Sequence, residues 1–297
     1  MLPTLRQLHN LKLLAEHGSF SRAAEAANVT QPTLSAGVQE LEKILGAPVV
    51  DRARSGVILT AVGEEAVRRA GLILAQAEDL LQAAKTAGQP LTGRFRLGVI
   101  PTIAPFLLPK ALTGVRARYP NLKLFLREDR TPALLAALKA GALDAAVIAL
   151  PYDTSGLETA RIGDDELLAA LPANHALVGA GPISPDSLEG EDLILLEDGH
   201  CLRDHALGAC GFDASRAGAD GGFAATSLAT LVQMVGAGLG VSFLPAMAVE
   251  AGLVDQIPIT IRHLDTARPN REIVICWRAG SSRGPEGRLL AEVFQGV

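Results

Sequence analysis

Cysteine is scarce in this chain: there are three in 297 residues, at Cys201, Cys210 and Cys276. Three thiols cannot build a disulfide framework, and in a reducing compartment they stay thiols unless one pair is made to oxidise. Long apolar runs are missing at the amino terminus. Met1-Leu2-Pro3-Thr4-Leu5-Arg6 leads into a stretch broken by Gln7, His9, Asn10 and Lys12, which makes neither a signal-peptide core nor a membrane span. The expectation is a cytoplasmic protein with no membrane contact. GxSxG, HExxH, P-loop and paired-cysteine zinc patterns are absent too, which leaves the corresponding enzyme classes little support and gives no reason to expect a metal or cofactor. A basic excess is also lacking, since the formal net charge is -5. That argues weakly against nucleic-acid binding by the molecule as a whole. Through Thr60, however, Arg6, Lys12, Arg22, Lys43, Arg52 and Arg54 slightly outnumber Glu16, Glu25, Glu40, Glu42 and Asp51.

With 48% apolar and 20% charged residues, the chain is long enough for two or three compact units and too apolar to be disordered. Residues 4 to 45 read as three helices in quick succession. Leu5, Leu8, Leu11 and Leu14 or Ala15 line one face of the first. Ser19 and Ser21 are candidate caps of a second, Ser21 to Ala27, whose alanines allow close approach of another backbone. Thr30-Gln31-Pro32 opens a third, with Pro32 at a first-turn position and an apolar stripe of Leu34, Val38, Leu41 and Leu45. Two short helices and a tight turn describe a helix-turn-helix, with Gln31, Thr33 and Ser35 as readers of base edges; an alanine-rich bundle with no DNA role has the same periodicity. Gly37 weakens the third helix by about 1 kcal/mol relative to alanine. From Thr60 to about Ala87 a long helical pattern carries Val62, Ala66, Arg69, Ile73, Gln76, Leu80 and Ala83 at alternating spacings of four and three, a coiled-coil seam or the packed face of a single helix. Gly88-Gln89-Pro90 ends it.

Beyond Thr92 strands and helices alternate: Phe95 to Ile100, Pro105 to Arg118, Leu122 to Leu126, Pro132 to Ala140, Ala145 to Leu150. A second set runs through Leu193 to Leu196, Leu228 to Val235 and Val241 to Leu244, with Arg271 to Trp277 as a late strand returning to the first half. Such alternation implies parallel strands with crossover helices and two α/β lobes, whose ligands sit at the carboxyl ends of strands. Thr102, Thr131 and Thr226 stand at such places, where each also reads as a helix cap.

The most informative stretch is Leu195 to Cys210. From Leu202 to Leu207 it reads as helix, which sets the two cysteine Cα atoms roughly 13 Å apart at about 1.5 Å per residue, whereas a disulfide tolerates at most about 7 Å. In that fold the thiols cannot join; if they join, the helix unwinds. Cys201 is flanked by His200 and Arg203, has His205 one turn on, and follows Asp198-Gly199, which reads as a cap. Cations and a helix amino terminus lower a thiol pKa, while Glu197, Asp198 and Asp204 push the other way. Cys210, between Ala209 and Gly211, has no local cation. Both also fit as ordinary small core residues, and so does Cys276.

Phe20-Ser21-Arg22-Ala23-Ala24, Val29-Thr30-Gln31-Pro32-Thr33-Leu34-Ser35 and Leu41-Glu42 resemble the signature of the LysR-type transcriptional regulators. Arg52, Arg54 and Leu59-Thr60-Ala61-Val62-Gly63-Glu64 resemble the family's wing and the start of its linker helix. Ala36-Gly37-Val38-Gln39 departs from it, with no Arg or Lys where many relatives carry a basic or amide residue. The run from Leu195 to Cys210, Gly199-His200 included, resembles the redox segment of OxyR, the family's peroxide-sensing branch. The resemblance implies a winged helix-turn-helix over 1–60, a dimerising linker helix over 61–90 and a two-lobed, periplasmic-binding-protein-like effector domain over 91–297, with lobe I about 91–164 and 267–297 and lobe II about 165–266. It implies that hydrogen peroxide oxidises Cys201, that Cys210 resolves the product into a disulfide, and that Thr102, Thr131, His200, Arg203, Asp204, Thr226 and Arg271 line the peroxide pocket. Arg271 is the candidate for stabilising the thiolate. On the DNA side it implies contacts from Ser21, Arg22, Thr30, Gln31, Pro32, Thr33, Ser35, Arg52 and Arg54. The implied partners are promoter DNA, RNA polymerase, a resetting reductant of glutaredoxin or thioredoxin type, and further copies of the chain in a homodimer or homotetramer. The expected setting is bacterial, cytoplasmic and nucleoid-associated, and the expected role is not enzymatic. A metabolite-sensing regulator would need no cysteine pair, and a thiol peroxidase would share the pair but not residues 1–60.

Overall fold

A computed structural model describes residues 1–53, 56–85, 90–179, 181–212, 224–266 and 270–296. The chain divides into two compact units, residues 1–88 with 137–142, and residues 89–136 with 143–297.

In the first unit α1 (Leu5–His17) opens on a capping box: the Gln7 amide donates to the Thr4 hydroxyl, and the Gln7 side-chain oxygen accepts from the Thr4 N–H at 2.8 Å. Gly18 closes it with φ 59°. Then follow α2 (Phe20–Ala26), one residue earlier than its alanine run predicts, and α3 (Gln31–Leu45). Ser19 is the residue before α2, but its side chain makes no capping bond; Thr30 occupies the same place before α3 and bonds Thr33 Oγ1 instead. Leu8, Leu11, Leu14, Ala23, Ala24, Leu34, Val38 and Leu41 form the core, whereas Leu5 and Leu45, at the ends of the predicted apolar stripes, are exposed. Gly37 has a packing reason, because a Cβ there would stand 3.2 Å from Nδ2 of buried Asn10. Strands β1 (Val50–Ala53) and β2 (Gly56–Leu59) pair antiparallel as a wing. The long helix α4 (Ala61–Lys85) starts under the Thr60 hydroxyl, which accepts from Gly63 N–H at 3.0 Å. Gly63 is obligatory there, since a Cβ would come within 1.9 Å of the Val49 carbonyl oxygen. On the seam, Val62, Ile73 and Leu80 are 44%, 47% and 72% exposed; the side chain of Ala83 lies outside the described residues.

The second unit is built on one long sheet. It begins β3 (Gly93–Val99), α5 (Ala104–Arg118), β4 (Leu122–Glu128), α6 (Thr131–Lys139), β5 (Ala145–Leu150) and β6 (Leu157–Pro172). It continues β7 (Leu195–Leu196), α7 (Cys201–Cys210), β8 (Ala224–Ala225), α8 (Leu228–Gly236), β9 (Ser242–Pro245), α9 (Ala246–Glu250), β10 (Ile259–Arg262), β11 (Asn270–Arg278) and α10 (Gly284–Gln295). The strand order is β10-β6-β11-β5-β3-β4, with β9 also on β6. As the alternation predicts, β3 is parallel to β4 and β5, and the late strand β11 returns to pair antiparallel with β5. The sixteen-residue β6 was not predicted. Its first half, Leu157 to Glu166, is polar, half-exposed and paired to β11, and its second half, from Leu167, is buried and paired to β9 and β10. No single period runs through both halves, so the polar half reads as loop. The predicted strand Leu193 to Leu196 is shorter than expected: only Leu195–Leu196 pairs in a strand, with Leu193 in a single bridge to Val241.

Candidate redox site

Three parallel strands deliver polar side chains at their carboxyl ends: Thr102 after β3, Thr131 after β4 and Tyr152 after β5. α7 brings Cys201 to them. The helix is held by Leu202, Ala206 and Leu207, all buried in the second unit's core, and Cys201, its first residue, is 3% exposed. His200 is the residue before it, and Gly199 adopts φ 89°, which favours glycine. Cys201 and Cys210 are the two ends of this one helix and both are free thiols, as the predicted helix requires.

Arg271, on β11, is 1% exposed. A charge so buried must be paired. Its Nε donates to Asp165 Oδ2 at 2.9 Å, and its two terminal nitrogens donate to Thr102 Oγ1 at 2.8 Å and to the Thr102 carbonyl at 3.0 Å. Asp165 is completed by the Met247 N–H, 3.0 Å from Oδ1. This anchored cation acts on the thiol. Burial pushes the Cys201 pKa up; Arg271 and the Thr131 hydroxyl pull it back, Asp204 opposes them, and the balance stays above the ordinary thiol range. Thr131 Oγ1 faces both the thiol and the Tyr152 hydroxyl, yet makes no hydrogen bond of standard geometry and is buried. His205 Nδ1 is a second such atom. Burial and then Arg271 hold the His205 pKa down to about 4, so its ring is neutral. His200 is likewise pushed down, by burial and then Arg130.

Two cations that flank Cys201 in sequence therefore do not act as cations on it. His200 is buried and shifted toward neutral, and Arg203 binds Asp198 Oδ1 at 3.1 Å and the Leu196 carbonyl at 3.4 Å. Thr226 is exposed. Cys210 and Cys276 differ from Cys201 in kind. Burial alone pushes Cys210 to about 12; Cys276 is also near 12, its Sγ donating to the Ala146 carbonyl at 3.4 Å inside the sheet.

Sequence reasoning missed three contributors, and His205, expected one turn on as a cation, is instead neutral. Asp165 and Tyr152 are described above. Arg130 is the third: it donates to the Asp198 carbonyl at 2.7 Å and to Glu197 Oε2 at 2.9 Å, fastening the loop that leads into Cys201. A Cβ on Gly199 would come 3.2 Å from the Arg130 side chain. Tyr152 could have been found from its place at the end of a parallel strand; the others carry no local signal.

In the first unit Ser21, Arg22, Thr30, Gln31, Pro32 and Thr33 are exposed around the start of α3, with Ser21 Oγ 3.4 Å from Gln31 Oε1, and Ser35 is half-buried. The Arg52 side chain and all of Arg54 lie outside the described residues. Among the described residues no helix is long and apolar enough to cross a membrane, and no cluster of His, Cys, Asp and Glu could hold a metal ion.

Two family descriptions match the chain: the bacterial regulatory helix-turn-helix of the lysR family over residues 5–64, and the LysR substrate binding domain over residues 88–297. The chain is 38% identical over 297 residues to the HTH-type transcriptional regulator EstR of Acinetobacter baylyi, covering 100% of this chain and 97% of that one. It is 40% identical over 292 residues to a probable hydrogen peroxide-inducible genes activator of Mycobacterium avium, covering 97% and 92%. Among solved structures it resembles a full-length cysteine-to-aspartate variant of Pseudomonas aeruginosa OxyR, with TM-score 0.80, 34% identity and coverage of 99% and 98%. It also resembles a cysteine-to-serine variant of Corynebacterium glutamicum OxyR with hydrogen peroxide bound, with TM-score 0.68, 34% identity and coverage of 100% and 92%.

Proposed function

The chain belongs to the LysR family of bacterial transcriptional regulators, and on that premise we propose that it is a hydrogen-peroxide-sensing regulator, not an enzyme, with Cys201 as its peroxidatic thiol. The observation that carries this reading is the setting of Cys201: a buried thiol on which an anchored guanidinium acts, with the buried Thr131 hydroxyl facing it. The cysteine deprotonates and its sulfur attacks one peroxide oxygen. The S–O bond forms, the O–O bond breaks, and the leaving hydroxide takes a proton to become water. Thr131, with Thr102 held by Arg271, orients the peroxide, while the Arg271 guanidinium favours the thiolate; His200, Arg203, Asp204 and Thr226 complete the pocket. The Cys210 sulfur then attacks the Cys201 sulfur: the S–S bond forms, the S–O bond breaks, and the hydroxide leaves with the proton of the Cys210 thiol as water; a dithiol reductant of glutaredoxin or thioredoxin type reverses the disulfide. Because α7 separates the two sulfurs, forming the bond unwinds the helix and repacks Leu202 and Leu207.

Residues 1–60 read promoter DNA, 61–90 pair two copies, and 91–297 sense peroxide. The exposed apolar side chains on the α4 seam support a dimer, and a tetramer through the effector domains follows the same logic of two heads on two half-sites. Ser21, Arg22, Thr30, Gln31, Pro32, Thr33 and Ser35 face DNA together with Arg52 and Arg54, RNA polymerase is the downstream partner, and the site of action is the bacterial cytoplasm. The test is footprinting of the full chain on its own upstream DNA, reduced and after stoichiometric peroxide. The footprint should change in the wild type and stay fixed in Cys201→Ser; an unchanged footprint with the disulfide formed contradicts the reading. On that DNA, Gln31→Ala should weaken specific binding by roughly 1–3 kcal/mol without affecting random duplex.

A further inference from the structure

A half-open cavity of about 420 Å³ lies among α5, β6, α9, α10 and β11. Of the residues described around Cys201, it shares Asp165 and Met247 with the redox site. Its volume is in the range of small-molecule sites, roughly 300–1,000 Å³. We propose that this cavity binds a zwitterionic α-amino acid with an apolar side chain, and that the occupant is felt at Cys201 through Asp165.

The walls set the class of ligand. Phe106, Ile273 and Phe294 supply an apolar surface, and the last two are buried. Three lining carboxylates already have cationic or imidazole partners: Asp164 binds Arg161 at 2.6 Å, Asp165 binds Arg271 at 2.8 Å, and Glu166 binds His263 at 2.8 Å. Two lining charges have no such partner among the described residues, and they are of opposite sign: Lys110 on α5 and Glu250 on α9. A simple anion would meet Lys110 but also a wall rich in carboxylates, and a simple cation would meet Lys110 as a like charge. A ligand carrying both signs takes its carboxylate to Lys110 and its ammonium to Glu250, and lays its side chain on the apolar wall.

The coupling follows from one carboxylate serving both places. Asp165 and Met247 line the cavity, the Met247 N–H binds Asp165 Oδ1, and Oδ2 holds the guanidinium that acts on the thiol. A ligand seated against them changes the position or hydration of Asp165, and hence the field of Arg271 at Cys201. Such coupling is reciprocal, so oxidation must change ligand affinity by the same factor. This second part rests on Cys201 as the sensing thiol; the first does not.

The test is calorimetric titration of the full reduced chain with L-phenylalanine, 3-phenylpropionate and 2-phenylethylamine. L-Phenylalanine should bind saturably, one per chain, and each analogue lacking one charge should bind at least about tenfold more weakly. Lys110→Met and Glu250→Gln should each lose at least about tenfold for L-phenylalanine with unchanged thermal unfolding, and in Glu250→Gln the preference over 3-phenylpropionate should vanish. No heat up to about 10 mM L-phenylalanine, equal binding by a single-charge analogue, or wild-type affinity in both variants overturns the site. For the coupling, saturating L-phenylalanine should change the iodoacetamide alkylation rate of Cys201 by at least about threefold, a measurement that needs no peroxide. An unchanged rate at saturation overturns the coupling and leaves the proposals of binding and of peroxide sensing standing separately.

Discussion

α7 begins and ends on a cysteine, and its two ends are built from different material. At Cys201 four other stretches of chain converge: the ends of β3, β4 and β5, and Arg271 from β11. At Cys210 burial acts alone, and the helix closes on Gly211 at φ 67°. Burial is common to both and raises both thiols. What distinguishes the two thiols, and on the proposed function separates the attacking one from the resolving one, is the countercharge, placed by Asp165 and Thr102 rather than by neighbours in sequence. The flanking His200 and Arg203 would have been the natural candidates, yet one is shifted toward neutral and the other is bound to Asp198.

Removing that countercharge should have the largest effect. Arg271→Met leaves Asp165 buried without its cation and should lower unfolding stability by about 3–5 kcal/mol. In whatever fraction remains folded, Cys201 should alkylate as slowly as Cys210. Urea unfolding with thiol-labelling kinetics measures both; a Cys201 that keeps its rate would mean that the two ends are not distinguished by Arg271.

His205 sharpens the comparison through pH. Its ring titrates near 4 in the fold against 6.5 when unperturbed, so above about pH 6.5 it is neutral in both states. As pH falls below that, the unfolded chain gains a proton that the folded chain refuses, and stability drops by up to about 1.4 kcal/mol per pH unit until the folded ring titrates. His205→Gln should remove that slope. A difference between wild type and variant that stays flat from pH 7 to 4 contradicts the buried, neutral imidazole.

At the other end, Gly211→Ala places a Cβ on a residue at positive φ and should cost about 1 kcal/mol while leaving Cys201 labelling unchanged. Thr131→Val should change stability least, by under about 0.5 kcal/mol, because its hydroxyl makes no standard hydrogen bond to lose. Cys201 labelling should nonetheless slow, since the hydroxyl lowers the thiol pKa. Equal labelling rates would remove Thr131 from the site.

The elements of this site were more legible than its wiring. Ala145–Leu150 is a continuous apolar run and appears as a strand with those bounds, and α7 follows from its own pattern. The LysR-type motifs at 20–35 and 195–210 pointed to the winged head and to both cysteines. The polar half of β6 was invisible because a strand half-exposed on one stretch and buried on the next has no constant period. Arg271 with Asp165, 106 residues apart, and Arg130 with Glu197, 67 apart, meet only through the topology of the sheet. Local composition records that such residues exist; it does not record which of them share a cavity.

The claim that the two ends differ in chemistry is tested most directly by trapping. Cys210→Ser chain, treated with one equivalent of hydrogen peroxide in the presence of dimedone and mapped by peptide mass spectrometry, should carry the label on Cys201, and the wild type treated alike should instead give the Cys201–Cys210 disulfide. A label on Cys276, or a Cys201 that stays reduced in both proteins, would contradict the account.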